Sequence, residues 1–264
     1  MRRAAAAFIM GREIDGGPKK DSGRSRREKA GYGMEYGEVR RAEFIARPNR
    51  FVARCQLDGT EVTAHVPNTG RCRELLVPGY PVWLAPASGP ARRTHFTLVC
   101  VDRLGKLINL DSRAPNRVFG EAVAAGRLRL PGLRPVTLVR PETVFDRSRF
   151  DFYLESGPRR AFAEIKGVTL EADGTARFPD APTERGLKHV REACLAAAQG
   201  YLAYLVFVIQ MQGVRRFEPN WSTQPEFGAA LRQARAAGVH LLARECAVTP
   251  GSLTLAGPVP VEFN

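Results

Sequence analysis

The stretch SRFDFYLESGPRRAFAEIKGV, residues 148–168, contains two runs in which apolar and polar residues alternate, separated by a Ser-Gly-Pro turn. Alternation with a period of two is typical of β-strands that bury one face. We therefore predict two strands, at residues 149–155 and 160–168. Because the turn between them is short, we expect the two strands to be antiparallel neighbours in one sheet.

This pairing places three charged residues near one another. Asp151 lies on the polar face of the first strand, and Glu164 and Lys166 share a face of the second strand. We expect Asp151 to lie across from the other two, which brings together two carboxylates and one ammonium. Such a trio can hold a hard cation such as Mg²⁺ and neutralise charge on a phosphoryl group. It suits metal-dependent hydrolysis of a phosphodiester, although the same residue types more often form a solvated face or a structural ion pair.

Strands and helices alternate through the rest of the C-terminal half. A helix is expected to begin with Thr183 as its N-cap, and the continuously apolar residues 203–210 predict a central strand that is buried on both faces. A capping box at Thr223 predicts a second helix, and residues 239–248 predict the last strand. This alternation indicates an α/β layer.

The N-terminal half has a different pattern, with short strand-like runs, turn residues between them and one short helical run at residues 71–77. The strand-like runs are residues 39–46, 49–57, 61–67, 81–86, 94–101 and 106–110. Five or six short strands with one inserted helix are typical of a small, partly open barrel of the OB type. A helix with Asn116 as its N-cap then opens the second domain.

The chain is thus predicted to be an α+β protein of two domains, an OB-like β-barrel at residues 37–114 and an α/β domain at residues 115–255. Residues 256–264 are expected to form a tail. Residues 1–36 are rich in glycine and charge and lack lasting periodicity, so we predict a disordered basic extension. It is either an arm that adds affinity for nucleic acid or an extension before a true start at Met34, and its lack of any motif favours the second interpretation.

Composition favours nucleic acid as the partner class. The 264 residues include 40 Lys and Arg against 27 Asp and Glu, a formal net charge of +13, which attracts polyanions. No apolar run approaches the ~20 residues needed to span a bilayer, so we exclude an integral membrane protein. The five cysteines are odd in number and far apart, as in a reducing compartment, and we expect a cytoplasmic protein with buried thiols.

Four longer strings resemble the SfsA family, the sugar fermentation stimulation proteins. They are HVPNTG (residues 65–70), SRFDF (148–152), EIKGVTL (164–170) and FPDAPTERGLKH (178–189). The resemblance covers about residues 37–255 and implies an N-terminal OB-like domain followed by a nuclease-like domain of the PD-(D/E)XK type. The family has been described both as a DNA-binding regulator and as a nuclease that acts on DNA and RNA.

By this resemblance, Asp151, Glu164 and Lys166 would be the catalytic residues, and the two carboxylates would hold Mg²⁺ or Mn²⁺. Glu142 corresponds to an upstream acidic position that would reach the metal directly or through water. One departure bears on Glu142, because family members usually have a Tyr-Gly pair where this chain has Phe-Asp at residues 145–146. Replacing glycine with aspartate restricts the backbone, which leaves the geometry of Glu142 open.

Basic residues near the trio are candidate contacts to nucleic acid. Arg185, Lys188 and His189 share one face of the predicted helix near its N-terminal end, where free backbone N–H groups favour anions. Arg149, close to Asp151 in sequence, is a further candidate. A direct contact of His189 with substrate and a hydrogen bond of His189 near the core are equally compatible with the sequence.

Two function classes follow from these observations. The first is a Mg²⁺-dependent nuclease that hydrolyses DNA, RNA or both. The second is a non-catalytic, DNA-binding transcriptional regulator of sugar metabolism. The intact trio favours the nuclease, because two carboxylates that face phosphates would weaken binding unless a metal ion lay between them. The preference for DNA or RNA and the oligomeric state, a homodimer included, stay open.

Overall fold

Three β-sheets and three α-helices make up the part of the chain that the computed structural model describes, residues 33–68, 70–87, 94–146 and 148–263. A six-stranded sheet forms the N-terminal half, and a seven-stranded sheet organises the C-terminal half. A third, small sheet of three strands is formed by residues of the C-terminal half. No helix in these ranges is long and apolar enough to cross a membrane.

The N-terminal half is a β-barrel of the OB type, which confirms the prediction from short strands and turns. Its strands are β2 (Arg40–Asn49), β3 (Val52–Leu57), β4 (Thr60–His65), β5 (Pro81–Pro86), β6 (Phe96–Arg103) and β7 (Lys106–Asn109). Neighbours pair in the order β4-β3-β2-β5-β6, and a parallel pairing of β4 with β6 closes the barrel. Buried apolar side chains such as Phe44, Leu84 and Leu98 fill the interior.

The short helix expected at residues 71–77 does not form, and the described residues there make turns instead. Cys72 adopts a left-handed backbone conformation with φ of 44°. Its carbonyl oxygen accepts the N–H groups of both Leu75 and Leu76, so the chain reverses without starting a regular helical ladder. Pro78 follows directly and cannot extend a helix.

The C-terminal half is a mixed sheet with helices on both faces. Its strands are β8 (Leu138–Phe145), β9 (Ser148–Ser156), β10 (Arg159–Val168), β13 (Leu202–Ile209), β15 (His240–Thr249) and β16 (Ser252–Val259), with the short β1 (Met34–Glu35) at one edge. The strand order is β1-β16-β15-β13-β10-β9-β8, and β10, β13 and β15 are parallel. The predicted antiparallel pair β9–β10 and the predicted central strand β13 are both confirmed.

The helices cover opposite faces of this sheet. They are α1 (Ala114–Ala124), α2 (Glu184–Ala198) and α3 (Pro225–Ala236). Alternate residues of β13 serve the two faces, since Leu205 and Phe207 pack in the same cluster as α2 and α3, while Tyr204 and Val206 pack with α1. The remaining sheet consists of β11 (Leu170–Ala172), β12 (Thr175–Phe178) and β14 (Arg216–Pro219).

Of the starts predicted from the sequence for these three helices, one is confirmed and two are wrong. Thr183 caps α2 as predicted, with its Oγ1 accepting the N–H of Gly186 at 2.9 Å. The helix α1 begins at Ala114, so Asn116 lies inside its first turn and is not the cap. The helix α3 has Gln224 at its N-cap position without a capping side chain, so the capping box expected at Thr223 is wrong.

The folded part of the chain extends further at both ends than the sequence predicted. The strand β16 follows β15 and reaches Val259, so it includes the first residues of the expected tail. At the other end, β1 pairs with β16, and Tyr36 accepts a hydrogen bond from Asn109 Nδ2 at 2.8 Å. Residues 33–36 are therefore part of the fold, whereas the rest of the predicted disordered extension lies outside the described residues.

A buried glutamine joins the two halves of the molecule. Gln210 follows β13 directly and is 1% exposed. Its Nε2 donates to the backbone oxygens of Asn109 and Asp111 at 3.1 and 3.0 Å and to Asn109 Oδ1 at 2.9 Å. Because Asn109 ends the last barrel strand, these bonds fix the barrel against the C-terminal sheet.

We expect Gln210→Ala to lower the free energy of unfolding by about 2–4 kcal/mol, because the substitution leaves three buried acceptors without their donor and opens a cavity. Urea denaturation measures this change. Gln233→Ala, on the exposed face of α3, is the matched control and should shift the unfolding free energy by less than about 0.5 kcal/mol. Equal shifts for the two variants would show that the junction does not depend on Gln210.

Candidate active site

The strands β9 and β10 stop pairing where the predicted trio lies. Their backbone register runs from Arg159 opposite Ser156 to Ala163 opposite Phe152, and the next pair in that register is Glu164 opposite Asp151. At this point a side chain replaces the backbone ladder, because Asp151 Oδ2 accepts the N–H of Ile165 at 2.8 Å. The strands therefore diverge around the Asp151 carboxylate.

Asp151 is held at both of its oxygens. Besides the bond from Ile165, Oδ1 accepts Asn116 Nδ2 at 2.8 Å. Burial raises the pKa of the Asp151 carboxyl, and the nearby Glu164 raises it further, so that these effects outweigh the hydrogen bonds that favour the charged form. A carboxylate that is fixed in place and reluctant to carry its charge alone is suited to a cation.

Glu164 has the opposite electrostatic balance. It is 3% exposed, and its Oε1 accepts Lys166 Nζ at 2.7 Å and also contacts His189 Nδ1. Burial raises the pKa of the Glu164 carboxyl, but the hydrogen bonds and charges of His189 and Lys166 outweigh it and leave the pKa below its usual value. Glu164 is therefore ionised, beside the ammonium that the sequence placed two residues further on.

His189 is buried and makes its contacts inside this cluster. Its Nε2 lies 3.4 Å from Arg185 Nε. Its Nδ1 faces Glu164 Oε1, the same oxygen that accepts Lys166 Nζ. Lys166 Nζ lies 3.0 Å from the same Nδ1. Of the two roles that the sequence allowed for His189, the structure shows the hydrogen bond near the core.

Two of the predicted residues lie together at the surface. Glu142 on β8 and Arg149 on β9 are both exposed and form an ion pair, with Glu142 Oε2 3.2 Å from Arg149 Nη1. Glu142 has a left-handed backbone with φ of 50°. Asp146 also adopts φ of 51°, the region that the family's usual glycine enters freely and that aspartate tolerates better than most residues.

The exposed face of α2 carries the other basic candidates. Arg185 and Lys188 are exposed, and Lys188 Nζ lies 3.5 Å from Glu192 Oε1. Glu192 also accepts the hydroxyl of Ser148 at the start of β9, so this mostly buried carboxylate connects α2 to β9. Sequence reasoning missed Glu192, and the only signal for it was its spacing of four residues from Lys188.

Asn116 was also missed as a site residue. It was predicted to cap α1, and its amide instead orients the carboxylate of Asp151. An asparagine near a helix start has a capping interpretation that needs no knowledge of distant strands. Its distance of 35 residues from Asp151 in sequence hides the contact.

The oxygen ligands at this site fit a hard divalent cation that keeps most of its coordinated water molecules. Among the residues that the structure describes, no group of three or more His, Cys, Asp or Glu is arranged to hold a metal ion. Asp151 and Glu164 supply two carboxylates, and Mg²⁺ is commonly held by one or two carboxylates with water and substrate phosphate oxygens in the other positions. Lys166 adds a positive charge beside them.

Two protein-family models match the chain. The model described as the SfsA N-terminal OB domain matches residues 45–110. The model described as the sugar fermentation stimulation protein RE domain matches residues 113–252. The change from one model to the other falls at the start of α1.

Known proteins match over nearly the whole described chain. A sugar fermentation stimulation protein homolog of Desulfitobacterium hafniense is 48% identical over 230 residues, which are 87% of this chain and 99% of that protein. A homolog of Clostridium beijerinckii is 45% identical over 228 residues, covering 86% and 99%. A solved structure described as Pyrococcus furiosus SfsA in complex with Ca²⁺ aligns with a TM-score of 0.79 at 28% identity, covering 88% of this chain and 100% of that chain.

The two carboxylates should respond oppositely to neutralisation in the metal-free protein. Because its pKa is raised in the fold, the charged form of Asp151 opposes folding at neutral pH, so we expect Asp151→Asn to raise the melting temperature at pH 7. The gain should shrink as the pH falls through the raised pKa of Asp151, where the wild-type carboxyl takes up its own proton. Calorimetry in EDTA measures both effects.

Glu164→Gln is the paired measurement. The pKa of Glu164 is lowered, so its charge stabilises the fold above the unfolded pKa, and this contribution is lost as the pH falls through the lowered value. The substitution should therefore lower the melting temperature at pH 7, since it leaves Lys166 and His189 without their carboxylate. If both variants shift the melting temperature in the same direction, the assigned electrostatics are wrong.

Proposed function

This chain belongs to the sugar fermentation stimulation (SfsA) family, and from that premise we propose that it is a metal-dependent nuclease that hydrolyses phosphodiester bonds of DNA, RNA or both. The observation that carries the proposal is the cluster of Asp151, Glu164 and Lys166 where two strands diverge. Asp151 is a buried carboxyl with a raised pKa, and Glu164 is a buried carboxylate that pairs with the Lys166 ammonium. Such features are typical of functional sites rather than of ordinary surface ion pairs.

Asp151 and Glu164 are the residues that would hold the metal ion. The Ca²⁺ named for the Pyrococcus furiosus structure supports a divalent cation in this family, since Ca²⁺ and Mg²⁺ both take oxygen ligands. When bound, Mg²⁺ or Mn²⁺ would polarise the scissile phosphate and acidify a bound water. The protein's own part is to fix the two carboxylates, Asp151 through Asn116 and Ile165, and Glu164 through its neighbours.

Lys166 supplies positive charge to the reacting phosphate. Its Nζ is mostly buried and lies 2.7 Å from Glu164 Oε1, so its position is fixed before substrate arrives. An ammonium in that position stabilises charge that develops on the phosphoryl oxygens and can orient the attacking water. His189 contacts the same oxygen of Glu164 and, together with Arg185, which contacts the His189 ring, would help to keep the carboxylate in place.

Exposed basic residues provide the sequence-independent grip on the substrate. Arg185 and Lys188 lie in the first turns of α2, near its anion-favouring end, and Arg149 lies beside the site on β9. The surplus of positive charge in the whole chain has the same effect at longer range. The five cysteines are free, which fits a reducing cytoplasm as the place of action.

The first test is metal dependence. Purified protein should degrade labelled nucleic acid in Mg²⁺ or Mn²⁺, and EDTA should abolish the cleavage while binding persists. Binding should weaken steeply with salt, because phosphate contacts release counterions. Salt-dependent binding without cleavage in any divalent metal would instead favour the non-catalytic DNA-binding regulator.

The second test concerns Lys166. We expect Lys166→Ala to lower the cleavage rate by about 10²–10³-fold, the usual cost of removing one group that stabilises transition-state charge, with little change in binding measured in EDTA. Lys106→Ala is a matched control, because Lys106 also pairs with a buried glutamate, Glu171, at 2.8 Å but lies on the barrel strand β7. Cleavage by Lys166→Ala at the wild-type rate would contradict the proposed mechanism.

A further inference from the structure

A cavity of about 170 Å³ lies where the barrel meets the C-terminal half. Three segments line it: the loop after β4, the end of β10 with the residues that follow, and the loop that precedes α2. The lining residues that matter here are Asn68, Gly70, Gly167, Thr169, Phe178 and Asp180. Gly167 directly follows Lys166 in β10, and its own contacts are with Gln210 and Pro115.

The barrel wall of the cavity is held by one arginine. Arg47 donates to the carbonyl oxygens of Gly70 and Arg71 at 2.8 Å each and to those of Asn68 and Arg50 at 2.7 Å each. Asn68 Oδ1 in turn accepts the N–H of Gly70 at 2.8 Å. These bonds connect the described residues Asn68, Gly70 and Arg71 to the barrel.

The opposite wall is held by a buried asparagine. Asn220 donates its backbone N–H to the carbonyl of Phe178 and its Nδ2 to the carbonyl of Pro179, both at 2.9 Å. The ring of Phe178 packs against Phe207 and Phe227 with centroid distances of 5.9 and 5.3 Å. Both walls are therefore built before any substrate binds, which lowers the cost of binding.

Two glycines allow close contacts in the lining of the cavity. A Cβ at Gly70 would lie 2.4 Å from Asp180 Oδ2, and a Cβ at Gly167 would lie 2.6 Å from Gln210 Oε1. Any side chain at Gly70 would push Asp180 away from the barrel loop. Both glycines therefore help to shape the cavity.

We propose that this cavity, the base pocket, holds one unpaired nucleobase of the substrate strand; this inference rests on the proposed nuclease function. The Asn68 amide and the Asp180 carboxylate offer donors and acceptors to the edge of a base, and the basic residue of the lining, Arg177, is paired with Glu218 at 3.6 Å. The ring of Phe178 adds an apolar contact. A cavity of about 170 Å³ cannot admit a base pair, so the base enters from a single strand or after leaving its helix.

An exposed aromatic residue on the barrel offers a surface on which a base can stack. Phe51 is 44% exposed, and the guanidinium of Arg50 lies 4.7 Å from the centre of its ring. The carbonyl of Phe51 accepts the N–H of Val66, two residues before Asn68. Stacking of bases on exposed aromatic and arginine side chains is typical of proteins that bind single strands. Phe51 and Arg50 would therefore offer a stacking surface to the strand on the barrel side of the base pocket.

The test measures binding in EDTA, so that it does not depend on cleavage. Fluorescence anisotropy compares a single-stranded oligonucleotide with an abasic oligonucleotide of equal length and charge. Wild-type protein should prefer the bases by about tenfold, within the range that one or two base contacts supply. Thr169→Phe, which fills the pocket, should lose most of this preference, whereas Thr60→Phe, at the far end of β4, should keep it.

Asp180→Ala is the second variant, because Asp180 is exposed and its loss leaves the fold intact. It should reduce the preference for bases several-fold. Unchanged preference in Asp180→Ala and in a folded Thr169→Phe overturns the base pocket, whatever the nuclease activity.

Hydrolysis of bis(p-nitrophenyl) phosphate in Mn²⁺ separates the two proposals. This substrate has no nucleobase, so its hydrolysis by wild-type protein, measured in parallel with cleavage of an oligonucleotide, tests the nuclease function without involving the base pocket. If wild-type protein hydrolyses neither substrate, the proposed nuclease function fails, and the anisotropy result still decides the base pocket.

Discussion

The hydrogen bond from the backbone of Ile165 to the carboxylate of Asp151 is the contact on which the site depends. It replaces a rung of the β9–β10 ladder, so the two strands separate without leaving a buried N–H group unpaired. The same bond fixes one carboxylate opposite Glu164, on the strand that also carries Lys166. Strand pairing on one side of this point and strand divergence on the other thus bring the three charged residues together within one sheet.

The two carboxyl groups of the site have opposite electrostatic environments. Glu164 has two partners that favour its charge, whereas burial and the neighbouring carboxylate oppose the charge of Asp151. A folded protein accepts such a strained charge only where the surrounding packing is strong, and here β13 and the helices on both faces supply that packing. A cation between the carboxylates would relieve the repulsion, which is one reason why we propose a divalent ion at this site.

Local patterns were sufficient for the elements that frame the site. The two-residue alternation around Asp151 and Glu164 gave both strands and their pairing, because a one-residue slip would turn every apolar side chain to the wrong face. Likewise the continuous apolar run of β13 specified a strand buried on both sides, and the Thr183 hydroxyl specified where α2 begins. These signals are contained within a few residues, so the sequence alone carries them.

Long-range contacts decided the rest. From its own sequence, the chain determined a barrel, an α/β layer and the approach of three charged residues, since each follows from periodicity and turn chemistry. Only the tertiary structure turned Asn116 from a helix cap into a partner of Asp151 and showed that His189 is a partner of Glu164, one of the two roles that the sequence left open. It also extended the sheet through β16. The physical reason is that a polar side chain has several satisfactory partners locally, and which partner it takes is set by what the fold brings to it.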